Sequence, residues 1–239
     1  MKVFDNFIQN IKTDIKRFEN KEYEVNKNSN WDKLKSSDLI LQSDVGVELG
    51  HPKTKSASYI MWTNNDSIVC DNKITVIGQD LNEIKNSPID YAKITLIKTK
   101  DYDEEKAYEI FQEMESLRLN INLKGYMLRA TNQRNREWCR VSKEALKKGF
   151  SFNTLGSELI NAYKEKDFVE EVEIIFIVGN KELINSISQV GLKVTEIIKA
   201  LNTIFDDIDF DCHSCNFSDI CDEIDGMKEM HGKKVQGKK

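Results

Sequence analysis

Apolar residues recur along the chain with the period of a helix in some stretches and of a strand in others. Near the N-terminus, apolar positions every three or four residues predict an amphipathic helix. They are Val3, Phe4, Phe7, Ile8, Ile11, Ile15 and Phe18. This helix is expected to dock on the rest of the domain or on a sister subunit, in a homo-oligomer. Residues 19–36 are polar and rich in Asn and Lys, which indicates a linker or mobile loop.

The remaining patterns predict strands and helices in mixed order. Short apolar and β-branched runs predict strands at 44–49, 58–62, 73–78, 93–97, 123–128 and 171–178. Helical periodicity predicts helices at 80–85, 104–117, 143–148, 154–163 and 181–205. Ser142 is expected to cap the helix at 143–148, and Gly149 to end it. Because short turns join several early strands, we expect an α+β fold, with a mixed sheet packed against helices.

These patterns divide the chain into three parts. Residues 1–36 form the N-terminal helix and linker, and residues 37–205 form the α+β domain. Residues 206–239 form a small cysteine-rich segment with a disordered Lys-rich tail.

Composition limits the classes of protein that fit. The 239-residue chain is 39% hydrophobic and 31% charged, and its net charge of −5 argues against a nucleic-acid partner. No run of about 18 apolar residues occurs, and the start lacks the apolar segment of a signal peptide, so we expect a cytoplasmic protein without a membrane partner. The five cysteines are expected to be reduced thiols rather than disulfides.

A cluster of cysteines near the C-terminus is the motif most directly tied to chemistry. Cys212, Cys215 and Cys221 follow the pattern C-x2-C-x5-C, and His231 lies ten residues beyond. A C-x2-C pair lets two thiolates reach one metal from a single turn, and thiolates with one imidazole suit zinc or an iron–sulfur cluster. Three interpretations stay open at this point: a [4Fe–4S] cluster, a zinc-stabilised Cys3His binding module without redox or catalytic role, and unliganded thiols on a polar tail.

Residues 129–140 form a second candidate site. This stretch holds four arginines and Trp138 within an acidic chain. Guanidinium groups bind phosphates bidentately and an indole stacks on a purine, so a phosphorylated nucleotide such as coenzyme A would fit. The alternative is an exposed loop whose arginines pair with nearby carboxylates, with Trp138 in the core.

Four stretches, in the same order, carry a family resemblance. Residues 47–55, VELGHPKTK, are similar to ELGGPKSKG, and residues 73–83, KITVIGQDLNE, are similar to KI.VIGPDIDE. Residues 133–150 are similar to QRD..WIRISK.A...GF, and the cysteine stretch is the fourth. The similarity is to the acetyl-CoA synthase (β) subunit of the carbon monoxide dehydrogenase/acetyl-CoA synthase complex, over about residues 44–232.

The resemblance implies metal ligands for the cysteine cluster. In that family the similar stretch binds the [4Fe–4S] part of the active-site cluster. Cys212, Cys215 and Cys221 would then be thiolate ligands of a [4Fe–4S] cluster. His231-Gly232 stands where the family has Cys-Gly, so His231 would be a substituted fourth ligand or a bystander.

The resemblance also implies a coenzyme site and partners. Arg134, Trp138 and Arg140 would fall in the family's middle domain, which is implicated in coenzyme A binding. The expected partners are a corrinoid protein or subunits of the complex, in the one-carbon metabolism of an anaerobe. His51 replaces the second glycine of the family's GGP. The given sequence ends before the family's nickel-binding segment, so acetyl-CoA synthesis by this chain alone is not expected, and no catalytic residue is assigned.

Overall fold

The computed structural model describes residues 3–102, 104–129, 135–205 and 216–223. The helices are α1 (Asp5–Ile15), α2 (Glu104–Leu119), α3 (Lys143–Lys147), α4 (Phe152–Lys164), α5 (Lys181–Phe205) and α6 (Ser218–Glu223). The strands are β1 (Asn20–Glu24), β2 (Val45–Leu49), β3 (Ser56–Thr63), β4 (Lys73–Ile77), β5 (Tyr91–Thr99), β6 (Tyr126–Arg129), β7 (Trp138–Ser142) and β8 (Val169–Val178). This mixture confirms the predicted α+β class.

A five-stranded mixed sheet forms the centre of the fold, in the order β1-β4-β8-β5-β3. β4 runs parallel to β8, and β5 runs parallel to β3, whereas the β5–β8 and β1–β4 pairs are antiparallel. Every residue of β3 is buried, and so is nearly every residue of β5. Because successive side chains point to opposite faces, continuous burial means that both faces of the sheet are covered.

Helix α5 covers part of this sheet and approaches it closely. Its first turn is capped by Asn180, whose Oδ1 accepts a hydrogen bond from the main-chain N–H of Leu183 at 3.0 Å. The hydroxyl of Tyr59 on β3 donates to the carbonyl of Ile187 at 3.1 Å. A Cβ atom at Gly191 would lie 2.8 Å from the Tyr59 ring, so the contact between α5 and β3 requires glycine there.

A second, three-stranded antiparallel sheet has the order β2-β7-β6 and carries the candidate site. Its strand β2 approaches the main sheet at Leu49, which forms an isolated parallel bridge with Ile89, two residues before β5. Helix α3 packs on it and begins as predicted, because Ser142 Oγ accepts from the N–H of Ala145 at 3.1 Å. Gly149 follows with φ of +89°, the left-handed conformation that ends such a helix.

Helix α1 docks on its own domain. Its apolar face, Phe4, Ile8, Ile11 and Ile15, is buried in the common core. The Phe4 ring meets Trp62 edge-on at 4.6 Å between centroids. The burial of each such apolar side chain stabilises the folded state by about 1.5–3 kcal/mol. No described helix is long and apolar enough to cross a membrane.

Three local predictions were wrong. Residues 20–24 lie within the expected linker but form β1, an edge strand that pairs with β4 through its backbone while most of its side chains face solvent. Residues 81–83 form a turn rather than a helix, and the N–H of Glu83 closes it by donating to the Asp80 carbonyl at 2.9 Å. The sixth strand begins at Tyr126 instead of residue 123.

Candidate ligand-binding site

The strand register brings the arginines and Trp138 of residues 129–140 together. In the β6–β7 pair, Arg129 lies opposite Trp138, and in the β2–β7 pair, Arg140 lies opposite Glu48. Burial alternates along β7, with Trp138 and Arg140 partly exposed and Cys139 buried. This alternation places the tryptophan and its charged neighbours on one face of the small sheet and the thiol on the other.

Trp138 is surrounded by cationic and aromatic groups. The guanidinium carbon of Arg129 lies 4.1 Å from the ring centroid, and that of Arg140 lies at 5.5 Å. The His51 ring meets the indole edge-on at 5.1 Å. Cation–π contacts at such distances hold the indole and Arg129 as a stacked pair. The site thus presents a partly exposed indole beside positive charge, which suits an anion that carries an aromatic ring.

Glu48 fixes the orientation of this cluster. Its Oε1 accepts hydrogen bonds from Trp138 Nε1 at 2.9 Å and from Arg140 Nε at 2.6 Å. Burial acts to raise the pKa of Glu48, but these hydrogen bonds and the charge of Arg140 outweigh it and leave the pKa lowered. Arg140 also donates to Gln42 Oε1 at 2.9 Å and to the Ile40 carbonyl at 3.3 Å. The Arg140 guanidinium is therefore already hydrogen-bonded to three groups of the protein, which fix its position beside Trp138.

A buried ion pair supports the site from the side of the main sheet. Lys93 Nζ on β5 lies 2.6 Å from Glu137 Oε2, and both side chains are nearly inaccessible, at 2% and 3% exposure. The same oxygen accepts from Ser58 Oγ at 2.9 Å. Ser56 Oγ donates to the Glu137 carbonyl at 2.6 Å and accepts from its N–H at 3.1 Å. Glu137 thus fixes both the side chain and the main chain immediately before Trp138.

Cys139 lies beneath the site and is not a candidate ligand. The thiol is fully buried, and burial, followed by the charge of Glu137, raises its pKa well above the ordinary value. A thiol that stays protonated is a poor nucleophile and a poor metal ligand. The unpredicted strand β7 explains its position, since Cys139 points inward between two outward-facing residues.

Of the predicted metal ligands, Cys221 lies in the described residues. It is partly buried in α6, which packs against α5. Cys212, Cys215 and His231 lie outside the described residues, as does Arg134. Within the described ranges no group of three or more His, Cys, Asp or Glu side chains is close enough together to hold a metal ion.

Sequence reasoning missed the two carboxylates that organise the site. Glu48 and Glu137 are each 5% or less exposed, and Lys93 is similarly buried. A signal for them exists, because Lys93 interrupts an apolar strand pattern and Glu48 occupies a strand otherwise rich in Val and Leu. A charge in such a place requires a buried partner, but the pattern does not say which one.

Together, the fold and site define an α+β domain with a cationic, indole-containing surface. The family model described as "CO dehydrogenase/acetyl-CoA synthase complex beta subunit" matches residues 34–183, more than half of the chain. The chain therefore belongs to this family. The match includes β2 to β8, and with them both Glu48 and Trp138.

Curated relatives agree with the family match at modest identity. The acetyl-CoA decarbonylase/synthase complex subunit beta of Methanopyrus kandleri is 30% identical over 60% of this chain and 30% of its own length. The carbon monoxide dehydrogenase/acetyl-CoA synthase subunit alpha of Moorella thermoacetica is 35% identical over 53% of this chain and 17% of its own. The subunit beta of Archaeoglobus fulgidus is 29% identical over 74% of this chain and 33% of its own. The chain thus spans a third or less of each relative.

Proposed function

We propose that this chain is an acetyl-CoA-synthase-like iron–sulfur protein that acts with subunits of a carbon monoxide dehydrogenase/acetyl-CoA synthase complex, or with a corrinoid protein. Family membership over residues 34–183 is the observation that carries the proposal. The relatives named above are subunits of such complexes. The proposal covers cluster and coenzyme binding and assigns the chain no step of acetyl transfer.

Cys212, Cys215, Cys221 and His231 are the proposed ligands of a [4Fe–4S] cluster. Three thiolates and an imidazole form a donor set that suits such a cluster. The partly buried thiol of Cys221, on a helix packed against α5, is consistent with a ligand anchored to the domain. The cluster would supply one-electron redox chemistry, and the protein would supply the thiolates and the surrounding dielectric.

The surface around Trp138 is the proposed binding site for coenzyme A. The partly exposed indole would stack on the adenine ring, and Arg129 with Arg134 would bind phosphate oxygens. Arg140 would act chiefly by holding Trp138 in place, because its Nε is bonded to Glu48. The observation that favours this surface as the coenzyme A site is the cation–π contact of Arg129 with the Trp138 indole, at 4.1 Å from the ring centroid.

Anaerobic purification followed by iron, sulfide, zinc and nickel analysis tests the cluster. About four iron and four sulfide per chain are expected, and Cys215→Ser should lose them. Cys70→Ser is the matched control, since Cys70 is an exposed thiol that bonds to Lys12 at 3.3 Å, far along the chain from the cysteine cluster. One zinc per chain without sulfide would contradict the cluster and indicate a Cys3His zinc module instead. Nickel in the preparation would indicate a catalytic metal centre in addition.

A further inference from the structure

A polar trough of about 950 Å³ runs along one side of helix α5. Lys181, Asn185, Ser188, Leu192 and Lys199 line it from the helix, at spacings that place them along one helical stripe. The opposite wall is formed by the turn at 52–56 and by residues 135–136. The trough is thus built from segments far apart in sequence that the fold brings together.

The trough is strongly cationic although the chain is acidic. Its described lining residues include five cations and one carboxylate. The cations are Lys53, Lys55, Arg136, Lys181 and Lys199. The carboxylate is Asp90, whose Oδ1 accepts from the N–H of Lys55 at 2.6 Å. In a chain of net charge −5, this segregation makes a local positive field that attracts an anionic partner.

The spacing of the charges indicates an extended ligand. Lys181 and Lys199 lie near opposite ends of α5, about 27 Å apart at 1.5 Å per residue. A site for one phosphate group draws its cations around a single centre, whereas Lys181 and Lys199 are too far apart to bind the same phosphate. An extended polypeptide covers about 27 Å with roughly eight residues.

The uncharged lining also suits a polypeptide. The amides of Asn185 and Gln189 donate and accept hydrogen bonds, as a peptide backbone requires. Leu192 is 49% exposed in the same stripe and offers an apolar contact to a side chain of the ligand. The Arg136 guanidinium is anchored by a 2.9 Å bond to the Thr54 carbonyl, which fixes one cation in advance.

We propose that this trough binds an extended acidic segment of a partner protein. The proposal goes beyond the proposed function, because neither a cluster nor coenzyme A enters it. The partner segment would carry carboxylates distributed over at least the distance between Lys181 and Lys199. Charge would set the association rate and the salt dependence, and Leu192 with the amides would contribute contacts that salt does not screen.

The test uses the full chain and a fluorescein-labelled peptide of about ten residues with alternating Glu and Ser, followed by fluorescence anisotropy. Wild type should bind it, and the Kd should rise steeply from about 50 to 300 mM salt. Lys181→Glu combined with Lys199→Glu should raise the Kd at least tenfold. Lys35→Glu combined with Lys147→Glu is the matched control, since both are exposed lysines outside the trough, and it should change the Kd less than twofold.

Two results would overturn the proposal. Equal losses in the trough and control variants would mean that only overall charge attracts the peptide. Displacement of the peptide by coenzyme A, with an equal loss of coenzyme A affinity in the trough variant, would assign the trough to the nucleotide. Retained coenzyme A binding in a variant that no longer binds the peptide separates this inference from the function proposed above.

Discussion

Replacement of Lys93 by methionine should strongly destabilise the domain. The perturbation leaves the Glu137 carboxylate buried at 3% exposure, with its 2.6 Å cationic partner removed. Ser58 Oγ at 2.9 Å and the Tyr126 hydroxyl at 3.4 Å still donate to it, but two neutral hydroxyls do not compensate a buried charge. Removing one member of a buried pair costs about 3–5 kcal/mol. We expect that loss in the free energy of unfolding, measured by urea denaturation at neutral pH.

Two further variants make this prediction specific. Lys93→Met combined with Glu137→Gln removes both charges and should recover much of the lost stability, since a neutral pair carries no uncompensated charge. Lys148→Met is the matched control. It breaks an exposed pair with Glu144 at 2.7 Å and should leave the urea midpoint nearly unchanged. A loss below about 1 kcal/mol for Lys93→Met, with an unchanged m-value, would refute the view that the pair is buried and coupled.

Three other predictions concern the site itself. Glu48→Gln should lower the free energy of unfolding by about 1–3 kcal/mol at neutral pH. Because the pKa of Glu48 is lowered in the fold, the greater stability of the wild type is present above the ordinary pKa of 4.5 and should vanish as pH falls through the folded pKa. A difference between the two proteins that does not change with pH in urea titrations would contradict this. Gly50→Ala should lower the thermal midpoint markedly, since Gly50 has φ of +63° and a Cβ would lie 2.1 Å from the Glu137 carbonyl; an unchanged melting curve would refute that contact. Coenzyme A should quench intrinsic fluorescence in wild type and not in Trp138→Phe, and quenching that persists in the variant would exclude Trp138 from the binding site.

The regular elements were predictable where local physics dominates. Helix α5 and strand β8 follow apolar periodicity closely, and Ser142 caps α3 through a bond between neighbours in sequence. Strand β1 was not predictable, because an edge strand is stabilised by its pairing with β4 and needs no apolar pattern. Strand β7 was missed for a related reason. Its five residues, WCRVS, follow a polar, arginine-rich stretch, and they form a strand by pairing with β2, where Glu48 lies opposite Arg140.

The sequence by itself determined the α+β class, the family resemblance and the candidates Trp138 and Arg140, because these depend on residue type and short-range spacing. The tertiary structure alone decided how those candidates are used. Glu48 reaches Arg140, and Lys93 reaches Glu137, only through the register of strands far apart in the chain. The basic trough likewise exists only where α5 meets the 52–56 turn. A charge pattern along the chain carries no information about such partners, because strand pairing and packing determine which distant residues meet.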